Sequence, residues 1–180
     1  GWFLKNQAPS GQFRCDNDPG SSRMYGHGIA AMAVSEAAAM SRLPETLQGA
    51  QKGIDFVDEA QNHTDKEKYD RAGWDYTPHG GTKDSSVTSW QVLALKSAKV
   101  AGLKVDPACF EGGMKWLDAA QGPDEYKPYI WYRGDLASVK KVQAANPTMN
   151  HNNCSEYALL AAAATMRMFL GESKSSPRVS

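Results

Sequence analysis

The chain has 180 residues, enough for one domain with a substantial core, and its apolar fraction of 41% is that of an ordinary globular protein. Twenty basic and twenty acidic residues give a formal net charge of zero, so no general attraction to nucleic acid or anionic lipid is implied. No run of about 18 apolar residues occurs, which excludes a membrane-spanning helix; the longest small-residue run, Ala158 to Thr165, is bounded by Glu156 and Arg167.

The first residues, Gly1-Trp2-Phe3-Leu4-Lys5, carry neither an initiator Met nor a basic leader and read as an excised or processed start. Trp2 stands five residues before Gln7, and a Gly11-Gln12-Phe13 turn follows. The loop from Asp16 to Ser21 is rich in oxygen ligands, but Pro19 and the missing downstream Glu break a calcium-loop pattern, so it reads as a turn. Cys15, Cys109 and Cys154 are odd in number and lack a Cys-x-x-Cys spacing. That argues against a zinc ribbon and a dense disulfide framework, and leaves any pairing among the three open.

A helix is expected from Tyr25 to Met40, Ala-rich from Ile29 through Ala39 and therefore able to pack on several sides; it is expected to be the more buried of the long helices. A second helix, about Leu43 to Gln61, has Pro44 in its first turn. Gly73-Trp74 repeats the turn that follows Gln7. Asp84, Ser85 and Ser86 are N-cap candidates for a helix ending at Gly102, along which Val87, Trp90, Leu93-Ala94, Ser97-Ala98 and Ala101 return every three or four residues as a helical stripe. A helix from Pro107 to Gln121 and a last one from Ser155 to Leu170 complete the set. Between them, Gly122 to Asn150 holds Tyr126, Tyr129, Trp131 and Tyr132 near Lys127, Arg133, Lys140 and Lys141, which suits stacking on sugar or peptide and equally suits a loop pinned to a helical core. No stretch alternates apolar and polar residues over six positions, so strands are nearly absent.

An aromatic precedes Gln by five residues three times, at Gln7, Gln61 and Gln121, with the Gln positions 54 and 60 apart. This is the spacing of a two-helix repeat. It divides an all-α single domain, residues 1–180, into a half-unit 1–13, a hairpin 24–76, a hairpin 84–132 with an insertion 122–150, and a half-unit 155–171. Such units hide their apolar faces by stacking. The repeat ends are thus expected to meet further sequence, a protein partner or a second copy.

Met24-Tyr25-Gly26-His27-Gly28-Ile29-Ala30, the stretch from Ala60-Gln61 to Gly73-Trp74-Asp75-Tyr76, Asp84-Ser85-Ser86-Val87-Thr88-Ser89-Trp90-Gln91 and Thr165-Met166-Arg167-Met168-Phe169-Leu170-Gly171 resemble the prenyltransferase/squalene-oxidase repeat proteins of bacteria, closest to those of planctomycete type. The resemblance runs from Trp2 to Gly171, least familiar between Gly122 and Asn153. It implies an α/α-toroid of helix hairpins, here a partial one. It also makes Gln7, Gln61, Gly73, Trp74 and Gln121 structural residues similar to the QW motif of triterpene cyclases, in which the Gln bonds free backbone groups at helix ends and the aromatic covers the adjoining turn.

The superfamily's chemistry is not carried over with the fold. Where squalene-hopene-type cyclases have an Asp-x-Asp-Asp acid, this chain has Asp84-Ser85-Ser86-Val87. The zinc set of protein prenyltransferases is absent: His151, Cys154, Asp106 and Cys109 have the residue types but not the spacing. The Cys-Gly-Glu-Gln of thioester domains does not occur. No metal or cofactor is expected. Asp75, Asp84 and Glu36 are the carboxylates from which a hydrolase pair could be drawn.

Candidate ligand residues lie at the starts of the first helix of each hairpin, which in the resembling toroids surround a central funnel: Tyr25, His27, Asp84, Thr88, Trp90 and Glu156, with Tyr129 and Trp131 added from the insertion. His27 is either a general base or a packing residue. The expectation is a non-catalytic ligand- or protein-binding or scaffold module, taking a small molecule, peptide or glycan; the alternative is an enzyme of the terpenoid cyclase/prenyltransferase superfamily, or a lyase or hydrolase on the same scaffold.

Overall fold

The computed structural model describes residues 1–14, 23–61, 71–121 and 130–134, positions 138, 140, 141 and 144, and 154–179 except 156. Cys15, the 16–21 loop, Tyr126, Tyr129, His151 and Glu156 lie outside the described residues, as do the side chains at 154, 155, 157 and 158.

The fold is mostly helical: α1 (Trp2–Lys5), α2 (Arg23–Ser41), α3 (Pro44–Ala60), α4 (Ser85–Ala101), α5 (Pro107–Ala120) and α6 (Tyr157–Phe169). The helix boundaries follow local chemistry. Pro44 and Pro107 open α3 and α5, where a missing N–H costs nothing. Asp84 caps α4 by accepting the Val87 N–H at 2.8 Å, and Asp106 caps α5 by accepting the Ala108 N–H at 3.0 Å. Gly102 ends α4 with φ of 80°, a left-handed turn in which its N–H bonds the carbonyls of Ala98 and Lys99. Four two-residue strands are described. β1 (Lys83–Asp84) pairs antiparallel with β3 (Arg133–Gly134), Asp84 opposite Arg133, and β2 (Ile130–Trp131) pairs with β4 (Cys154–Ser155), Ile130 opposite Ser155.

Helices α2, α4 and α6 pack in one row, with α3 against α2 and α4, and α5 against α4 and α6. This corrects one expectation: α2 buries 8 of its 19 residues whereas α4 buries 11 of 17, so α4 is the more buried helix. The reason is position. An Ala-rich helix can be covered on several sides, but α4 is the one with a long neighbour on each flank of the row.

Three sets of hydrogen bonds recur along the chain, two of them between successive helix pairs and one within a pair. Each repeat Gln follows a helix and sends its amide onward: Gln7 Nε2 to the Gly49 carbonyl of α3 at 2.9 Å, Gln61 Nε2 to the Cys109 carbonyl of α5 at 3.0 Å, and Gln121 Nε2 to the Arg178 carbonyl beyond α6 at 3.2 Å. Glycine makes room for the second tie, because a Cβ at Gly112 would lie 2.4 Å from Gln61 Nε2. The turn aromatics form the second set. The Phe13 N–H donates to His27 Nδ1 at 3.1 Å and the Trp74 N–H to Thr88 Oγ1 at 3.0 Å, both bonds spanning 14 residues. In the third set an otherwise orphan N–H in the first turn of a helix finds a tyrosine carbonyl from the far end of its own hairpin: Met24 to Tyr76 at 3.0 Å and Ser85 to Tyr132 at 2.8 Å. Gln91 of α4 adds a cross-tie, its Nε2 donating to the Met24 carbonyl at 2.7 Å.

The core is built on Trp74, Trp116, Ile54, Leu95 and Leu117, all at most 2% exposed. Both indoles keep their N–H satisfied, Trp74 on the Val57 carbonyl at 2.9 Å and Trp116 on Ser85 Oγ at 3.0 Å. The consequence for the site is that the first turns of α2 and α4 are held side by side by the strand and turn segments 71–76 and 130–134.

Candidate ligand-binding site

At the heads of α2 and α4 the fold gathers three tyrosines around one buried carboxylate. Asp84 is fully buried. Its Oδ1 accepts the Val87 N–H and, at 2.5 Å, the hydroxyl proton of Ser86. Ser86 Oγ in turn accepts a short hydrogen bond from Tyr25 Oη, and Tyr132 Oη lies 3.4 Å from it. Asp84 Oδ2 has no hydrogen-bond partner among the described residues.

Tyr76 completes the group. Its ring stacks on Tyr25 with centroids 5.9 Å apart and planes at 23°, and its hydroxyl interacts with Asp84 and Tyr132. The Arg133 guanidinium sits 4.9 Å over the Tyr76 ring and forks onto Asp75, Nε to Oδ1 at 3.1 Å and Nη2 to Oδ2 at 3.2 Å. Thr82 Oγ1 donates to the same carboxylate at 2.7 Å. Burial raises the pKa of Tyr25 and of Tyr76, and the negative charge of Asp84 pushes Tyr76 further in that direction. The two phenols are therefore neutral hydroxyls at any physiological pH: hydrogen-bond groups and aromatic faces, not phenolate nucleophiles.

The other sequence candidates have different surroundings. His27 is fully buried with both ring nitrogens in use: Nδ1 accepts from Phe13, and Nε2–H donates to the Gly53 carbonyl at 3.0 Å. Its ring stacks on Phe13 at 5.6 Å and meets the edge of Phe56 at 4.8 Å. Burial lowers its pKa to about 4, so it is neutral near pH 7, with no lone pair or N–H left for a ligand. Thr88 is likewise buried, its hydroxyl spent on Trp74. Trp90 is half-buried on α4. Trp131 is buried in β2, where its carbonyl accepts Ser85 Oγ at 2.5 Å. Glu36 is exposed and bonds Ser97 at 3.1 Å, eleven residues along α2 from Tyr25 and so roughly 16 Å up the helix axis. It forms no carboxylate pair with Asp84.

Tyr76, Ser86, Tyr132 and Arg133 join the site without being candidates in the sequence, where Ser86 is legible as a cap and Tyr132 and Arg133 as parts of the aromatic, basic segment. The available signal was Tyr76 itself, placed two residues after the turn aromatic Trp74, where its carbonyl meets the head of α2.

Cys109 is a buried free thiol. Its Sγ donates to Asp58 Oδ1 at 3.1 Å, and Arg71 bridges Asp58 and Asp106 at 2.7 and 2.9 Å. Burial, then the neighbouring Asp58, pushes the thiol pKa well up, so Cys109 links α3 to α5 as a protonated group. No cluster of metal-ligating side chains occurs among the described residues. A groove of about 600 Å³ runs beside α5, with Phe110, Met114, Ala119 and Leu170 as its apolar wall and Lys115 and Asp118 at its rim.

No protein-family model matches the chain, and neither a curated protein nor a solved structure does.

Proposed function

We propose that this chain is a non-catalytic ligand- or protein-binding module built from prenyltransferase/squalene-cyclase-like repeats on an α/α-toroid plan, and that its ligand site is the tyrosine-ringed head of α2 and α4. The plan is supported by the recurring glutamine, turn and helix-head ties and by the row α2, α4, α6 with α3 and α5 packed against it. The observation that carries the binding site is the convergence of Tyr25, Tyr76, Tyr132 and Ser86 on buried Asp84. These groups offer aromatic faces and oxygen atoms at fixed positions, the makings of a recognition site on a rigid scaffold. Of the side chains that an enzyme on this scaffold would draw on, His27 and Cys109 are committed to structural hydrogen bonds and Asp75 to Arg133 and Thr82.

The test is a screen of small metabolites, short peptides and oligosaccharides followed by the aromatic proton–carbon spectrum of the protein. The module reading expects a ligand that saturably shifts the ring signals of Tyr25, Tyr76 and Tyr132 together, and whose effect is lost in a Tyr25→Phe/Tyr132→Phe variant with an unchanged amide spectrum. Ligands that act only on signals remote from these three rings would count against this site.

A further inference from the structure

The geometry points to a primary ammonium group as the ligand this cluster takes, seated among Tyr25, Tyr76 and Tyr132 and drawn to Oδ2 of Asp84. This rests on the reading of the tyrosine cluster as a binding site and names its ligand class. Asp84 is fully buried, and none of the ion pairs formed among the described residues involves it. A buried carboxylate without a cationic partner is costly, and a cation brought to it is correspondingly favoured. The basic side chain that feels the charge of Asp84 is Arg133, and its hydrogen bonds go to another carboxylate. Arg133 forks onto both oxygens of Asp75, and Lys83 Nζ is directed to the Gly80 carbonyl at 3.5 Å.

The remaining groups suit an ammonium better than an anion or a neutral ligand. Ser86 passes its one proton to Asp84, Tyr25 passes its proton to Ser86, and the Tyr76 hydroxyl is turned to the Asp84 carboxylate, so the free capacity of these three oxygens is as acceptors. An –NH₃⁺ group is three donors and no acceptor, the complement of that set. The ring faces add a second attraction, since a cation over a tyrosine face is stabilised by the ring quadrupole. This chain already displays that contact with its own cation, Arg133 over Tyr76. Tyr132, 37% exposed, and the half-buried Tyr25 and Tyr76 put the cluster at the solvent boundary.

The experiment titrates the full chain with n-butylammonium chloride, and in parallel with n-butanol and sodium butyrate, reading the ring signals of the three tyrosines. The expected result is a saturable shift of those signals with the ammonium alone, weakened about tenfold or more in Asp84→Asn, which removes the charge but keeps a side-chain oxygen to cap α4. Tyr132→Phe, a change at an exposed ring, should also weaken the ammonium and serves if Asp84→Asn fails to fold. No saturable shift with n-butylammonium, an equal response to n-butanol, or an affinity indifferent to both substitutions would overturn the assignment. If a different ligand class moves the same tyrosines while the ammonium does not, the binding-module reading survives and the ligand class named here falls.

Discussion

Replacing Gln61 by Ala removes the tie between α3 and α5 at a point where its cost can be worked out. The side chain is fully buried, and its Nε2 gives the 3.0 Å bond to the Cys109 carbonyl. Losing that bond costs about 1 kcal/mol, and the void left by the amide adds to it. Against this stands Oε1, buried without a partner, whose removal returns part of its desolvation cost. The net expectation is a loss of about 1–3 kcal/mol, or roughly 3–10 °C in melting temperature for a chain of this size. Gln61→Met, which fills the space but removes both polar atoms, should cost about 1 kcal/mol or less. Gly112→Ala presses a methyl against the same amide, 2.4 Å from Nε2. It should therefore be destabilising in the natural background and less so in Gln61→Ala, with a coupling of about 0.5–3 kcal/mol. Urea and thermal unfolding of the four variants decide the matter. If Gln61→Ala stays within about 0.5 kcal/mol of the natural chain and the pair is additive, the glutamine is not a tie and the repeat has been misread.

Two further predictions concern the same ties. His27 has a folded pKa of about 4 against an ordinary 6.5, so between those values the unfolded chain binds more protons than the folded one. Stability should therefore fall as pH drops from 6.5 to 4, by at most about 3 kcal/mol from this group, and urea unfolding of His27→Gln should show a flatter profile in that window although the variant is less stable at pH 7. An unchanged slope would mean that the imidazole is not held neutral. Gly73 and Gly102 both have positive φ, 53° and 80°, but a Cβ at Gly73 would come 2.9 Å from Thr88 Oγ1, whereas at Gly102 the nearest atom is 3.9 Å away. Gly102→Ala should thus cost about 1 kcal/mol by backbone strain alone, and Gly73→Ala distinctly more in the same melting assay.

The fold was more legible in the sequence than the site. Helix ends are written locally: Asp84, Gly102, Pro44 and Pro107 act within a turn or two of where they stand, so caps and boundaries could be read off. The glutamines were legible because the aromatic-to-Gln spacing recurs, although their acceptors lie 42, 48 and 57 residues away. The burial order of the helices was not legible, because it depends on which helix occupies the middle of a row. His27 shows a different limit. Its sequence neighbours suggested either a base or a packing residue, and only Phe13 and Gly53, brought from two other segments, commit both nitrogens. The tyrosine cluster likewise joins residues 61 and 46 positions apart through Ser86, distances over which no local pattern runs. Asp84 is legible both as a cap and as a candidate ligand residue, and it caps α4. That its second oxygen is left facing a ring of phenols is a property of the assembled helix heads.

The claim that this chain binds rather than transforms its ligand is tested most directly by incubating it with farnesyl and geranylgeranyl diphosphate and with squalene and following each compound by mass spectrometry over many protein equivalents. The binding-module account predicts that every substrate is recovered unchanged by the natural chain and by Asp84→Asn alike. Multiple-turnover product formation that disappears in Asp84→Asn would contradict it and make Asp84 a catalytic acid.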